Sequence, residues 1–273
     1  MGDAGGAVMR GAVPVSVILP TYNRGALLPR SIGSVIGQTY EKFELVVVDD
    51  GSEDDTAAVV SGFSDERIRH IKLPRNRGLS AARNAGIAEA RGAYLAFQDS
   101  DDEWHGQKLA RQLNALHAHP EAAVVYSDMH RRANDGRLMY LRSPTIVRGR
   151  LTNPETHFWQ SYMLAMQPAL VRRECVGDLW FDERLVMFED LDFYLRLARR
   201  CEFFHMKEPL VTYFETQGLT TNRSKEFTAR RQLVRKYRGA LLARDPAFLV
   251  RETVNTLLRR SLMPIVNRHL TPI

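Results

Sequence analysis

The sequence contains only two cysteines, Cys175 and Cys201, among its 273 residues. Two cysteines make no disulfide framework, which fits a reducing compartment, so we expect a cytoplasmic protein. The first dozen residues, MGDAGGAVMRGA, lack the apolar core of a secretory signal. No stretch approaches the roughly 18 apolar residues that indicate a membrane span. These absences leave a folded chain whose hydrophobic fraction of 44% is enough for a substantial core.

Acidic residues are scarce beyond residue 222. From Arg223 to the end there are 12 Lys or Arg against 3 Asp or Glu, so residues 1–222 carry about −3 of the total net charge of +6. A basic tail on a body of the opposite sign argues against a nucleic-acid binder that uses its whole surface. We therefore expect no nucleic-acid partner.

The first half of the chain alternates between strand and helix patterns. Apolar, β-branched runs (VSVILPTY, ELVVVDDGS, IRHIKLP and AYLAFQDSD) are separated by helical patterns at about 26–38, 54–62 and 79–90. This alternation is typical of a mostly parallel sheet with helices on both faces, a doubly wound α/β fold. Later, AAVVYSDMHRR predicts another strand, a helix begins near Glu189, and basic helices follow from about Lys225.

Three of the predicted strands end in polar clusters. These are Pro20-Thr21-Tyr22-Asn23, Asp49-Asp50-Gly51-Ser52 and Asp99-Ser100-Asp101-Asp102. Ligands of open α/β sheets bind outside the carboxyl ends of the strands, so we expect all three clusters at one edge of the sheet.

The segment DSDD places three carboxylates within four residues. Asp99 and Asp101 face the same side of an extended chain and can reach one hard cation, for which Mg²⁺ and Mn²⁺ are suited. An EF-hand is a poor alternative, because Trp104 occupies the position that this loop reserves for glycine. The competing interpretation is that Asp101 or Asp102 caps a helix starting near His105. Spacing alone leaves both open.

The segment VVVDDGSEDDT is also ambiguous. Ser52 and Asp55 match capping-box spacing, and Asp-Gly is turn chemistry, so most of the cluster needs no ligand. That interpretation does not explain why two acids end the strand. Asp50 can alternatively accept a hydrogen bond from the N–H of a uracil-like base.

Two further segments carry charged side chains in helical patterns. Arg83, in NRGLSAARNAGI, can pair with a phosphate or a base edge, although the sequence alone favours a solvated arginine on a helix face. Glu189 and Asp190 open an amphipathic helix, where acids complement the helix dipole. The same field is expected to keep Asp190 ionised, as a carboxylate base must be at neutral pH.

Together these segments resemble the family 2 glycosyltransferases, which have the GT-A fold. The resemblance runs from VSVILPTYNR at 15–24 through QTY, FELVVVDDGSEDDT, GLSAARNAGI and GAYLAFQDSDDEW to FEDLDFYLRLA at 188–198. About 200 residues are covered in the expected order, and the likeness fades beyond about residue 222.

The resemblance implies an inverting transferase that moves a sugar from a nucleotide diphosphate to an acceptor hydroxyl, in cell-surface polysaccharide or glycoconjugate synthesis. UDP is the first expectation for the donor, with dTDP and GDP open. The residues implied to contact the nucleotide-sugar are Pro20, Tyr22, Asp50, Arg83, Asp99, Ser100 and Asp101. Asp99-Ser100-Asp101 matches the DxD motif, with Asp101 as the direct ligand of Mn²⁺ or Mg²⁺ and Asp102 as an assisting neighbour. Asp190, of the Glu189-Asp190 pair, matches the catalytic base.

One segment departs from the family pattern. Many relatives carry a histidine after the catalytic helix that helps to hold the metal or the diphosphate, but VTYFETQGLTTN has none. A third protein ligand is therefore in doubt, and Thr216 and Gln217 are the polar residues nearby. We interpret His205, in the apolar context CEFFHMKEPL, as structural.

The acceptor, a glycan or a lipid-linked glycan, is expected to contact residues 130–188. Trp159, Tyr162 and Trp180 can stack on a sugar ring, although core packing is the expected role of at least two of them.

The basic tail shows apolar residues at helical spacing, namely Val234, Tyr237, Leu241 and Leu242. We expect this helix to pack on the catalytic domain. The alternative is peripheral contact with an anionic membrane at the cytoplasmic face, which would suit a lipid-linked acceptor.

These patterns predict a flexible N-terminus at 1–13, a catalytic domain at 14–222 and a basic helical extension at 223–273. Within the catalytic domain we expect a nucleotide-sugar-binding half at 14–125 and an acceptor-binding half at 126–222. A nucleotide-sugar-binding module without catalysis is an alternative, against which Asp99, Asp101 and Asp190 speak. A sugar-phosphate nucleotidyltransferase would need a glycine-rich loop after the first strand, where PTYNRGALL supplies only Gly25.

Overall fold

The computed structural model describes residues 14–142, 165–215 and 223–250, apart from 245 and 248. The predicted N-terminal segment at 1–13 and four candidate residues, Trp159, Tyr162, Thr216 and Gln217, lie outside the described residues.

The first part of the chain alternates strands and helices close to the predicted positions. In order the elements are β1 (Val15–Thr21), α1 (Leu28–Ile36), β2 (Phe43–Asp49), α2 (Thr56–Ser61), β3 (Ile68–Lys72), α3 (Leu79–Glu89), β4 (Tyr94–Phe97), β5 (Glu103–Trp104) and α4 (Lys108–Ala118).

The second part contains longer strands and the two helices that matter for the site. Its described elements are β6 (Ala122–Arg132), β7 (Leu138–Leu141), β8 (Ala169–Arg172), α5 (Arg173–Val176), α6 (Glu189–Ala198), β9 (Glu202–Phe214) and α7 (Arg223–Arg244).

The described strands form one sheet in the order β3-β2-β1-β4-β8-β6-β9-β5, with β7 paired to β6. Strands β3, β2, β1 and β4 are all parallel, which confirms the prediction for the first half. In the second half β8 runs antiparallel to both β4 and β6, while β6 and β9 are parallel. The carboxyl ends of β1, β2 and β4 therefore meet at one edge.

Hydrophobic clusters cover both faces of the sheet. Val15, Val17 and Leu19 of β1 pack in one cluster with α1 and α4, whereas Ile18 packs in another with α3 and α6. Burial on both faces explains why β1 and β2 read as continuous apolar runs instead of alternating patterns.

The loops at the strand ends are closed by side chains, but not by the predicted capping box. Helix α2 begins at Thr56 without a side-chain cap hydrogen bond from its N-cap residue Asp55, so that prediction is wrong. The Ser52 N–H donates to the Asp49 carboxylate at 2.7 Å, and the Ser52 hydroxyl accepts from the Asn23 N–H at 2.9 Å. These bonds fix the ends of β1 and β2 beside each other.

The two cysteines form a disulfide. Cys175 of α5 and Cys201, just beyond α6, are bonded, with their Cα atoms 6.3 Å apart. The sequence analysis expected no disulfide framework from two cysteines, and it did not predict this single bond. A single pair 26 residues apart in sequence gives little pattern from which to predict it.

Helix α7 packs against the rest of the fold, as predicted, in one hydrophobic cluster with residues of the sheet and of α6. Ala229, Leu233, Tyr237 and Leu241 are buried at four-residue spacing, whereas Leu242 is 62% exposed. In the described part of the chain, no helix is both long and apolar enough to span a bilayer.

Candidate active site

A cleft of about 1330 Å³ lies outside the carboxyl ends of β1, β2 and β4. Side chains from these strand ends line it together with residues of α3 and of the first turn of α6. The residues that the sequence predicted for the nucleotide-sugar, the cation and the base are all among them: Pro20, Tyr22, Asp50, Arg83, Asp99, Ser100, Asp101, Asp102, Glu189 and Asp190. Segments up to 170 residues apart in sequence are thus brought to one site.

Asp50 holds the loop that precedes α3. Its two carboxylate oxygens accept hydrogen bonds from the backbone N–H groups of Arg77, at 2.9 Å, and Gly78, at 2.7 Å. Gly78 has a φ of 94°, which a residue with a side chain rarely adopts. Burial raises the pKa of Asp50 despite these donors. Each carboxylate oxygen can accept a second hydrogen bond, so contact with a base stays a prediction.

The acids of DSDD do not cap a helix. Helix α4 begins at Lys108, with Gln107 at its N-cap position, so the capping interpretation is wrong. Asp102 is fully buried, and its carboxylate accepts hydrogen bonds from the Phe214 N–H at 3.0 Å and the Gln167 side chain at 2.6 Å. Burial, then Asp99 and Asp101, raise the pKa of Asp102 well above its usual value. The Asp102 carboxylate is therefore held by hydrogen bonds inside the protein.

Asp99 and Asp101 have different surroundings. The Asp99 carboxylate lies 3.0 Å from the Arg83 guanidinium and 2.5 Å from the Gln167 amide nitrogen. The Asp101 carboxylate lies 3.6 Å from Arg24 Nη1, and its backbone carbonyl accepts a hydrogen bond from Arg30. Both acids line the cleft with hard oxygen donors.

Arg83 links the two acidic segments of the cleft. It is only 2% exposed and pairs with Asp99 at 3.0 Å and with Glu189 at 2.8 Å, so the solvated arginine favoured by the sequence is wrong. Burial alone would lower the pKa of Arg83, but Asp99 and Glu189 raise it above its ordinary value. Arg83 is therefore charged, and it fixes the start of α6 against the end of β4.

Asp190 lies beside this ion pair at the start of α6. Burial and then the neighbouring Glu189 raise the pKa of Asp190 to about 7, against the opposing effect of Arg83. The dipole argument considered only the helix itself, which favours the ionised form of Asp190, whereas burial and Glu189 raise its pKa and so oppose that effect. A base with a pKa near the working pH is well matched to proton transfer.

Gln167 is a cleft residue that the sequence did not indicate. It is 3% exposed, and its amide nitrogen donates to both Asp99 and Asp102. Its position depends on β8 inserting between β4 and β6, which local sequence patterns do not reveal. In the described ranges, no group of three or more His, Cys, Asp or Glu residues is placed to hold a metal on its own.

His205 is structural, as predicted. Its Nε2 lies 2.7 Å from the Asp128 carboxylate, and its ring stacks on Tyr126 with centroids 4.8 Å apart. His205 and Trp180 are both absent from the residues that line the cleft, although Trp180 is 47% exposed.

Comparison with known proteins agrees with this geometry. The profile of Glycosyl transferase family 2 matches residues 16–180. The chain is 31% identical to the succinoglycan biosynthesis protein ExoO of Rhizobium meliloti over 90% of this chain and 71% of that protein. It is 42% identical to the Escherichia coli UDP-Glc:alpha-D-GlcNAc-diphosphoundecaprenol beta-1,3-glucosyltransferase WfgD over 37% of this chain and 40% of that protein. The match thus spans about two fifths of WfgD.

Among solved structures, the fold is similar to that of S. aureus TarS 1-349 in complex with UDP. The TM-score is 0.64 at 23% sequence identity, and the match covers 90% of this chain and 71% of that chain. This likeness shows the fold alone, and it confirms the predicted GT-A architecture.

Proposed function

The chain belongs to glycosyl transferase family 2, and from that premise we propose that it transfers a sugar from a nucleoside diphosphate to an acceptor hydroxyl with inversion at the anomeric carbon. One observation carries the proposal. Asp50, Asp101 and Asp190, from three separate segments, line a single cleft at the carboxyl ends of the parallel strands.

The nucleotide end of the donor fits the part of the cleft formed by β1, β2 and the loop before α3. Tyr22 is 41% exposed there, which makes its ring available for contact with a base or ribose, and Asp50 can accept a base N–H. UDP is the first donor to test, since the printed name of WfgD specifies UDP-Glc and TarS was solved with UDP.

The residues present fit a divalent cation that is shared with a diphosphate. Asp99 and Asp101 supply hard carboxylate oxygens at the cleft, which would hold Mg²⁺ or Mn²⁺ together with the diphosphate of the donor. We assign Asp101 as the direct ligand and Asp99 as its support, because the Asp99 carboxylate is already held by Arg83 and Gln167. The buried Asp102 supports the loop after β4 through its hydrogen bonds with the Phe214 N–H and the Gln167 side chain. When bound, the cation would offset the charge that develops on the leaving diphosphate.

Asp190 acts as the base in this proposal. The acceptor oxygen attacks the anomeric carbon from the face opposite the diphosphate, its proton passes to the Asp190 carboxylate, and the bond between that carbon and the diphosphate breaks. The sugar passes through an oxocarbenium-like state, as in glycoside hydrolysis, and no covalent enzyme intermediate is needed. Glu189 holds the helix start through Arg83.

The test is a panel of UDP-, GDP- and dTDP-sugars with and without Mn²⁺. A bound donor should raise the melting temperature by an amount that grows with its concentration, and Mn²⁺ should enlarge the shift. The same mixtures, given a lipid-diphosphate-linked sugar acceptor, should release nucleoside diphosphate. No thermal shift and no diphosphate release with any donor would contradict the proposal.

The acceptor we propose is a sugar linked through a diphosphate to a lipid, at the cytoplasmic face of a membrane, because the name of WfgD specifies such an acceptor. The outward face of α7 supports peripheral contact with an anionic surface. Arg231, Arg235 and Arg238 follow one another at helical spacing on this face and are all exposed. Within the described part of the chain, the ion pairs of α7 are formed by Arg230 and Lys236 and not by these three arginines.

We expect the protein to bind phosphatidylglycerol-containing vesicles at low salt. Replacing Arg231, Arg235 and Arg238 by glutamine should weaken vesicle binding about 100-fold, since each cation near the surface contributes about 1 kcal/mol. Cosedimentation with vesicles measures the effect. The control is the same charge change elsewhere, at exposed Arg111, Arg137 and Arg200, and equal weakening by both triple variants would show that only net charge matters.

A further inference from the structure

The inward face of α7 is part of the same core as the helix that carries Asp190. Leu233, Tyr237 and Leu241 belong to one hydrophobic cluster with Leu191 and Leu195 of α6. The side chains of Leu233 and Leu241 are 1% exposed. Although α7 lies beyond residues 16–180, which match the family, it is packed as tightly as the elements of the sheet.

The polar contacts of this face converge on Asp192, two residues after Asp190. The Tyr237 hydroxyl donates to Asp192 Oδ1 at 2.7 Å, and Lys236 Nζ lies 2.6 Å from the same oxygen. Arg196 holds the other oxygen, Oδ2, at 2.6 Å. Asp192 is fully buried, so these three side chains replace the water that would otherwise hydrogen-bond to its carboxylate. Burial and then Asp192 raise the pKa of Tyr237, which keeps its hydroxyl a donor.

Helix α7 also holds the loop that leads into α6. Gln232 donates to the Arg184 carbonyl at 2.9 Å and accepts from the Val186 N–H at 3.3 Å. Lys236 reaches back to Asp182 at 2.7 Å. Two residues beyond Val186, Phe188 starts α6 with a φ of 63°, a strained conformation for a bulky side chain. Such a turn persists only where its surroundings hold it.

We propose that the inward face of α7 positions the catalytic base, with Tyr237 and Lys236 acting through Asp192 as positioning residues. Asp192 lies on the first turn of α6, so its hydrogen bonds fix how that turn is rotated and where Asp190 points into the cleft. The inference rests on the proposed role of Asp190. It gives α7, which lies beyond the residues that match the family, a role in setting the rate of transfer.

The donor site is built from other elements, and this separates the expected effects. Asp50 follows β2, Arg83 lies on α3 and Asp101 lies in the loop after β4, so these three residues belong to elements other than α6 and α7. Loss of the Tyr237 hydroxyl should therefore change kcat and leave the KM for the donor unaltered. If the Tyr237 hydroxyl had a purely structural role, its loss would lower the melting temperature without lowering kcat at an unaltered donor KM.

The test is Tyr237→Phe, which removes one hydroxyl and keeps the buried ring. We expect kcat to fall about tenfold, the loss typical of a hydrogen bond to a charged group, with the donor KM within about twofold of the unsubstituted protein. Leu242→Gln, at an exposed position of the same helix, is the control and should leave both constants unchanged. Lys236→Gln offers a second variant that removes a contact to Asp192 without disturbing the apolar core.

A double-mutant cycle identifies the route of the effect. If Tyr237 acts through Asp192, then Asp192→Asn combined with Tyr237→Phe should lower kcat no further than Asp192→Asn alone. Additive losses, or an unchanged kcat in both Tyr237→Phe and Lys236→Gln, would overturn the inference while leaving the proposed function intact. Failure of the unsubstituted protein to bind donor or transfer sugar would instead overturn the proposed function, and this inference with it.

Discussion

Replacing Asp190 by asparagine should lower kcat by about 10²–10⁴-fold, the usual contribution of a general base. The amide keeps the size of the side chain, but it cannot take the proton of the acceptor hydroxyl. Donor affinity should stay nearly unchanged, because in the proposed mechanism Asp190 meets the acceptor and not the nucleotide. Single-turnover transfer and donor-binding titrations on the same preparation measure the two quantities.

The pH dependence of the unsubstituted protein serves as the control for this variant. In the proposed mechanism Asp190 acts only when deprotonated, and burial and Glu189 raise its pKa to about 7, so kcat should rise as the pH increases to that value and then level off. A bound cation would move the midpoint lower, since it favours the carboxylate. The Asp190→Asn variant should lose this rise. Normal turnover by the variant would show that another group is the base.

Replacing Asp101 by alanine should remove the response of donor binding to Mn²⁺. We expect the affinity for a UDP-sugar in the presence of Mn²⁺ to fall about 10–100-fold, a loss seen even for groups that only support a metal ligand. Binding without metal should change little. Arg30 bonds to the backbone carbonyl of residue 101, so truncating the side chain leaves that contact in place.

Glu103→Gln is the matched control for Asp101→Ala. Glu103 lies two residues further along the chain, is exposed and does not line the cleft. Its substitution removes the same charge and should leave the Mn²⁺ response intact. A response to Mn²⁺ that survives in Asp101→Ala would remove this residue from the cation site.

The parallel half of the fold was predictable because its strands are buried on both faces. Continuous β-branched runs in β1 and β2, separated by amphipathic helices, admit few other arrangements, and parallel order then brings Pro20, Asp50 and Asp101 to one edge. The second half was not predictable in this way. The insertion of β8 between β4 and β6 depends on contacts distant in sequence, and Gln167 reaches the acids only through that insertion.

The family resemblance predicted which residues line the cleft, but the charge pattern did not predict their burial or their ion pairs. Arg83 has the sequence context of a solvated arginine, yet acids from two other segments surround it. The pKa of Asp190 follows from burial and from Glu189, whereas the dipole argument considered only its own helix. The pairing of Cys175 with Cys201 likewise required α5 and the end of α6 to be adjacent in three dimensions.

The most direct test is a titration of UDP with and without Mn²⁺ into the unsubstituted protein, Asp101→Ala and Asp190→Asn. If the acids surround a cation-bridged diphosphate and Asp190 stands apart as the base, the unsubstituted protein and Asp190→Asn should bind with equal, Mn²⁺-enhanced affinity. Asp101→Ala should show no enhancement. Equal loss of the Mn²⁺ effect in both variants, or its retention in Asp101→Ala, would contradict this arrangement.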